Sequence, residues 1–190
     1  YIKVSGNNTI YELDNDSLYL YNIKGKEPDD FVYKELFEYD NSSDVEYMEI
    51  SFKGETYTAP DGKNKNEDGE IELTDNEEKL FNRLSYRTAN QLLDSTENLR
   101  VDLSEPYLRI KVKLKEKNKI QEVQFFRKKA ETEDGENGPK YRYFLFKDSG
   151  FKKEYDKILF SYDSIKMNEL VELIEEVMGM SDTENESGSK

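Results

Sequence analysis

The sequence predicts an α+β domain, an antiparallel sheet of hairpins with two main α-helices, and three stretches carry that prediction. In the first, Leu108, Ile110, Val112 and Leu114 alternate with Arg109, Lys111, Lys113 and Lys115, so one strand face is apolar and the other cationic. The polar run 115–119 leads into Ile120, Val123, Phe125 and Phe126, the β-favouring return arm of a hairpin. A slip of one residue would drive the cations into the core, so the register is strongly specified. In the second stretch, Thr74-Asp-Asn-Glu77 is a capping box. It predicts a helix over 75–93 that buries Leu80, Phe81, Leu84, Thr88 and Leu92, with Asp75, Glu77 and Glu78 at the positive end of its dipole. In the third, Asp163-Ser164 caps a helix over 165–178, with Leu170, Leu173, Ile174 and Val177 as its apolar stripe and Gly179 as its stop.

The other elements follow in chain order. Residues 1–4 and 9–13 flank Ser-Gly-Asn-Asn and read as a hairpin. Asp14-Asn-Asp-Ser17 lacks the Gly and distal Glu of a calcium loop, so it reads as a turn or cap before the segment 18–23, a short helix or strand. Residues 25–30 form a loop and 31–39 an aromatic stretch. Residues 45–52 alternate as a strand, and Lys53-Gly54 turns it into a partner over 55–58. The segment 60–70, rich in Gly, Asn and mixed charge, is either a loop tip or a lobe boundary. After another hydrophilic tip at 131–139, residues 141–147 and 158–162 make two more strands. Phe125-Phe126 and Phe144-Leu145-Phe146 place apolar groups on both faces, so part of the sheet is expected to be covered on each side. Residues 1–180 form a single domain on this reading, with a disordered tail over 181–190.

Composition narrows the chemistry. The chain of 190 residues has no His and no Cys. Ser-His and Cys-His nucleophiles, thiolate or imidazole metal sites and disulfides are therefore absent. No phosphate-cradling Gly loop is present either, so no catalytic residue, metal ligand or cofactor is expected and the chain reads as a non-enzyme. At 35% hydrophobic and 37% charged residues the mean sits near the border of disorder, but 14 Tyr and 10 Phe supply large buried area. A formal charge of −14 opposes nucleic acid as a partner and wholesale adsorption to acidic lipid.

The charge is unevenly placed. Residues 109–129 hold nine Lys/Arg against two Glu, a net +7 that leaves −21 on the remainder. Arg109, Lys111, Lys113, Lys115, Arg127 and Lys128 are therefore the candidate anion-binding residues. The plainer account is that cations on an exposed strand face prevent edge-to-edge pairing and meet acids across the strands. Tyr19, Tyr21, Tyr141 and Tyr143 have the spacing to stack on sugars, but aromatics at strand spacing more commonly serve the core or its rim. Glu175-Glu176 diverge on a helix and do not form a glycosidase pair.

Several of these segments also resemble a known family. Thr-Ile-Tyr-Glu-Leu-Asp (9–14) is similar to its opening strand, and 34–40 leading into 44–50 is similar to a loop and its second strand. The helix over 75–93 is similar in placement, Leu-Ser-Glu-Pro-Tyr-Leu-Arg-Ile-Lys-Val-Lys-Leu (103–114) resembles its Leu-x-x-Pro entry into the central sheet, and Tyr-Arg-Tyr-Phe (141–144) its following strand. The family is a bacterial envelope-associated domain of unknown function, often in tandem behind one membrane helix and in some cases encoded beside gliding-type ABC transport components. The resemblance implies an extracytoplasmic binding or structural module whose partner is another envelope protein. It also implies membrane contact only through an N-terminal anchor upstream of Tyr1. Anion binding by the cationic strand face is the alternative.

Overall fold

The computed structural model describes residues 2–3, 10–11, 34–93, 102–115, 119–130, 141–148 and 159–180. The predicted elements at 14–33, 131–139 and 181–190 lie outside them. The chain divides into two units, residues 1–33 and 34–190. In the first, β1 (Ile2–Lys3) pairs antiparallel with β2 (Ile10–Tyr11), the two arms of the predicted hairpin.

The second unit is an α+β fold built on a six-stranded antiparallel sheet. Its strands are β3 (Val45–Phe52), β4 (Glu55–Ala59), β5 (Leu108–Leu114), β6 (Lys119–Lys129), β7 (Tyr141–Asp148) and β8 (Leu159–Tyr162). They are ordered β4-β3-β5-β6-β7-β8, so α1 (Asp75–Ser85) carries the chain from the β3–β4 hairpin to the other side of β3. From β5 onward each strand pairs with the next. The β3–β4 turn requires positive φ at Lys53 (51°) and Gly54 (84°), the conformation whose twist suits a two-residue hairpin.

Period-two alternation gives the sheet two different faces. Met48, Ile50 and Phe52 lie level with Val112, Ile110 and Leu108, and these in turn with Gln121, Val123 and Phe125. All of these are buried and all but Gln121 are apolar, and α1 and α2 (Ser164–Met178) pack over this face. Leu80, Phe81 and Leu84 of α1 and Met167, Leu170 and Ile174 of α2 complete the core. Leu173 and Val177, expected in the stripe, are only half-buried. Gly179 ends α2 in the left-handed conformation, φ 68°. On the opposite face a smaller cluster of Phe126, Phe144 and Leu159 is packed by Leu93, Leu103 and Phe146, so the β6–β8 half of the sheet is covered on both sides.

Two buried polar side chains on the core face have a common cause. The segment 34–39 crosses that face, burying Leu36, Phe37 and Tyr39. Its backbone is met by the sheet: the Glu38 N–H donates to Gln121 Oε1 at 2.8 Å, and Lys147 Nζ donates to the Glu35 carbonyl.

The first helix is shorter than its apolar spacing suggests, ending at Ser85 rather than 93. Beyond it the backbone bonds outward: Leu36 N–H to the Arg87 carbonyl at 2.9 Å, Ala89 N–H to Lys34 at 2.7 Å and Asn90 N–H to Ser161 at 3.0 Å. Thr88 and Asn90 are weak helix formers, so tertiary bonds to two neighbours win over one more helical turn. Thr88 and Leu92 are consequently half-buried in an extended segment along β8.

Burial also sets the response to alkali. Burial raises the hydroxyl of Tyr39, which donates to the Phe81 carbonyl at 2.7 Å. Burial likewise raises Tyr57, beside Glu77, and Tyr162, where the Arg87 charge opposes the shift. A phenol raised in the fold contributes stability below its unfolded value of about 10 and loses it as pH rises through the folded value. Stability should therefore fall above pH about 10. In a 295 nm titration these tyrosines should ionise together with loss of the circular dichroism signal; smooth ionisation near pH 10 with the fold intact would contradict their packing.

Candidate functional site

The six candidate cations do not form one site. Strand parity puts Arg109, Lys111 and Lys113 on the face away from the helices, together with Lys128. Arg127 shares the core-face parity of Val123 and Phe125, so it lies on the other side of the sheet. Lys115 sits just past β5, exposed, its N–H donating to the Asp44 carbonyl at 2.9 Å.

The register also brings acids to the cations. Lys111 lies between Glu49 on β3 and Glu122 on β6. Lys111 Nζ is 2.8 Å from Glu49 Oε1, Lys113 Nζ is 3.0 Å from Glu46 Oε1, and Arg109 Nε is 3.2 Å from Glu122 Oε1. Lys113 also lies 5.9 Å from the Tyr47 ring centre. These cross-strand pairs are part-exposed, a setting in which each is worth under about 1 kcal/mol. Changing Lys111, Lys113 and Lys115 together to Gln should leave the fold intact, with stability moving within about 0.5 kcal/mol per site. Anionic vesicles and single-stranded DNA should be bound negligibly at physiological salt before and after the change. Salt-sensitive binding that disappears in the triple variant would show instead that the strip is a site.

Arg127, like Lys115, has no such partner among the described residues. Among the described residues no carboxylate lies within ion-pair distance of it, whereas Arg83, Arg87, Arg109, Lys111 and Lys113 each have one. Its guanidinium carbon lies 4.2 Å from the ring centre of Tyr107 and 4.8 Å from that of Tyr141. Tyr143 extends the cluster, 5.9 Å from Tyr107 and 6.5 Å from Tyr141, and Phe52 meets Tyr107 edge-on at 5.4 Å. Arg127 is exposed, Tyr107 and Tyr141 half-buried and Tyr143 buried, so the cluster runs from the core out to solvent. Lys53 and Glu175 close one flank as an ion pair of 2.7 Å. Burial raises the Tyr107 hydroxyl against the opposing charges of Arg127 and Lys53, and Glu175 adds to the rise.

Of this cluster the sequence singled out Arg127, Tyr141 and Tyr143 in separate contexts and passed over Tyr107. The available signal was an aromatic residue directly after Pro106, at the mouth of the central strand. Two other polar networks were not anticipated. Arg87, buried, donates to the Lys166 carbonyl at 2.7 Å and to Glu169 at 3.0 Å, tying the end of α1 to α2. Arg83 reaches the same carboxylate, and these two guanidiniums hold Glu169 below the usual carboxylate range. Beside them lies a shallow groove of about 550 Å³ lined by Lys79, Asn82, Arg83, Tyr86, Glu169, Glu172 and Leu173.

Among the described residues no group of three or more acids is placed to hold a metal ion, and no helix is long and apolar enough to cross a membrane. Comparison with family models, curated proteins and solved structures found no match.

Proposed function

We propose that the domain is a non-catalytic binding module of a membrane-tethered bacterial envelope protein, and that it docks a partner protein at the tyrosine–arginine end of its sheet. The observation that carries the docking surface is Arg127, exposed and flanked by Tyr107 and Tyr141 with no acid of its own among the described residues. Tyr and Arg are the side chains that dominate protein interfaces, because they bring large rigid area and a polar tip at low entropic cost. The rings are anchored from behind by Tyr143 and Phe52, so the surface is held in shape before a partner arrives. The extracytoplasmic setting rests on the resemblance of 9–14, 34–40, 44–50, 103–114 and 141–144 to the envelope family.

Anion binding remains a second reading, and the geometry favours it at Arg127 rather than along the strip, where Arg109, Lys111 and Lys113 face Glu122, Glu49 and Glu46. A photo-crosslinking residue placed at position 141, and separately at 58 on the sheet edge, tests the docking reading in envelope extract. Adducts of defined mass should form from 141, not from 58, and should be lost in Arg127→Ala. Equal labelling from both positions, or adducts indifferent to Arg127, would overturn it.

A further inference from the structure

We propose that the open edge of β4 is a self-association surface, on which a second copy of this chain pairs its own β4 antiparallel across a two-fold axis. The two edges of the six-stranded sheet are finished differently. Along β8 the segment 90–93 closes the edge: the Asn90 N–H donates to the Ser161 carbonyl at 3.0 Å, the Ser161 N–H to Gln91 at 2.8 Å and the Leu93 N–H to Leu159 at 2.9 Å. At the other edge β4 pairs with β3 alone, and among the described residues its outer side has no backbone partner. Hairpin geometry fixes which groups are left over. Phe52 and Glu55 flank the two-residue turn as a hydrogen-bonded pair, and so in alternation do Ile50 with Tyr57 and Met48 with Ala59. Thr56 and Thr58 fall between them, so their N–H and C=O groups point out of the sheet. Both residues are exposed.

A row of unpaired backbone groups takes an extended chain, and here the register selects a second copy. With Tyr57 on the two-fold axis, Thr56 faces Thr58 of the second copy and Thr58 faces its Thr56. Every outward group is then used in a hydrogen-bonded pair. Thr pairs are favourable across antiparallel strands, and the two Tyr57 side chains lie side by side at the axis, where the strands come closest. Glu55, the only charge on the strand, falls opposite Ala59, so no like charges oppose each other. Sliding the register by two residues would set Thr58 opposite Gly54 or Thr56 opposite Pro60, which has no N–H to give. For a foreign strand the edge offers one charge, Glu55, by which to choose it. The strand carries no Lys, and its pairing with β3 has no bulge, two devices that would otherwise blunt an edge. Its five residues and the following Pro60 keep the ladder short, so the association is weak and concentration-dependent.

The test uses the whole chain. Sedimentation equilibrium should show monomer giving way to dimer as concentration rises. The dimer should strengthen between low salt and about 0.3 M salt, because backbone bonds are indifferent to salt while the −14 charge on each copy is screened. Thr58→Pro removes one outward N–H per copy, keeps the bonds to β3, and should weaken association at least about tenfold. If that variant fails to fold, Thr56→Lys with Thr58→Lys takes its place; it sets Lys opposite Lys across the axis and should give the same loss. The register is read from disulfides, since the chain has no Cys of its own. When Thr56→Cys and Thr58→Cys chains are mixed under mild oxidation, the mixed disulfide should form faster than either homodisulfide. Paired Cα atoms lie about 5.5 Å apart and diagonal ones about 7 Å or more, at the limit of what a disulfide spans. A monomer at all concentrations overturns the proposal. So does a dimer untouched by both edge variants, which would lie on another face, and so do homodisulfides that form as fast as the mixed one. At the dilution of an envelope extract the pair separates, so position 58 stays unlabelled there and the two tests fail independently.

Discussion

Glu77→Ala should destabilise the domain by about 3 kcal/mol or more, an effect large for a single polar side chain. Glu77 is fully buried, and three donors converge on its carboxylate. Tyr57 Oη and the Asp61 N–H donate to Oε1 at 2.9 and 3.1 Å, and the Thr74 N–H donates to Oε2 at 2.7 Å. Removing the carboxylate leaves these groups without their acceptor, at about 1–3 kcal/mol for each that water cannot reach. The loss is also spread over three elements, because the same side chain ties β4, the loop after Pro60 and the first turn of α1. Glu77→Gln separates the parts: its oxygen can still accept from Tyr57 and Asp61, but its amide then faces the Thr74 N–H. Denaturant midpoints at unchanged slope should rank wild type above Gln and Gln above Ala. If Ala matches wild type, the carboxylate is not the keystone of this corner.

Leu84→Ala should cost about 2–5 kcal/mol, and Thr74→Ala about 1 kcal/mol. Leu84 has no exposed surface, and it lies on the buried face of α1 with Leu80 and Phe81. Truncation removes its transfer energy and leaves a cavity that a tightly packed sheet-and-helix layer closes poorly. The Thr74 hydroxyl makes one cap bond, accepting from the Glu77 N–H at 3.3 Å, and its loss can be made good in part by water at the helix end. A reversed order of midpoints would place Leu84 outside the core or make the cap the nucleus of the helix.

The two helix ends of α1 show where the sequence was legible and where it was not. The capping box at Thr74–Glu77 is formed as expected, because both of its bonds close within one turn and need nothing from the rest of the chain. The other end was overestimated by eight residues, 75–93 against Asp75–Ser85. Leu92 keeps a helical spacing with Leu84 and Thr88 in the sequence, yet Leu92 bridges Phe160 on β8. Periodicity records which residues are apolar, but it does not record that Lys34 and Ser161 are waiting to take the backbone bonds. Glu77 divides in the same way, since its bond to Thr74 could be read from four consecutive residues while those to Tyr57 and Asp61 could not.

The hairpins, the alternation of the central strands and both helix starts were determined by the sequence itself, through local rules of turn chemistry, period and capping. The cationic strip was visible by the same rules, but its neutralisation was not. Glu46, Glu49 and Glu122 meet Lys113, Lys111 and Arg109 only because β3, β5 and β6 pair in one register. The Arg127 cluster is decided wholly at the tertiary level. Tyr107 lies just before β5, Arg127 on β6 and Tyr141 at the start of β7, and they meet at one end of the sheet. A strand's own pattern says which face a side chain takes, since that depends on its own backbone. Which neighbours share that face depends on strand order and register, which the whole core sets at once.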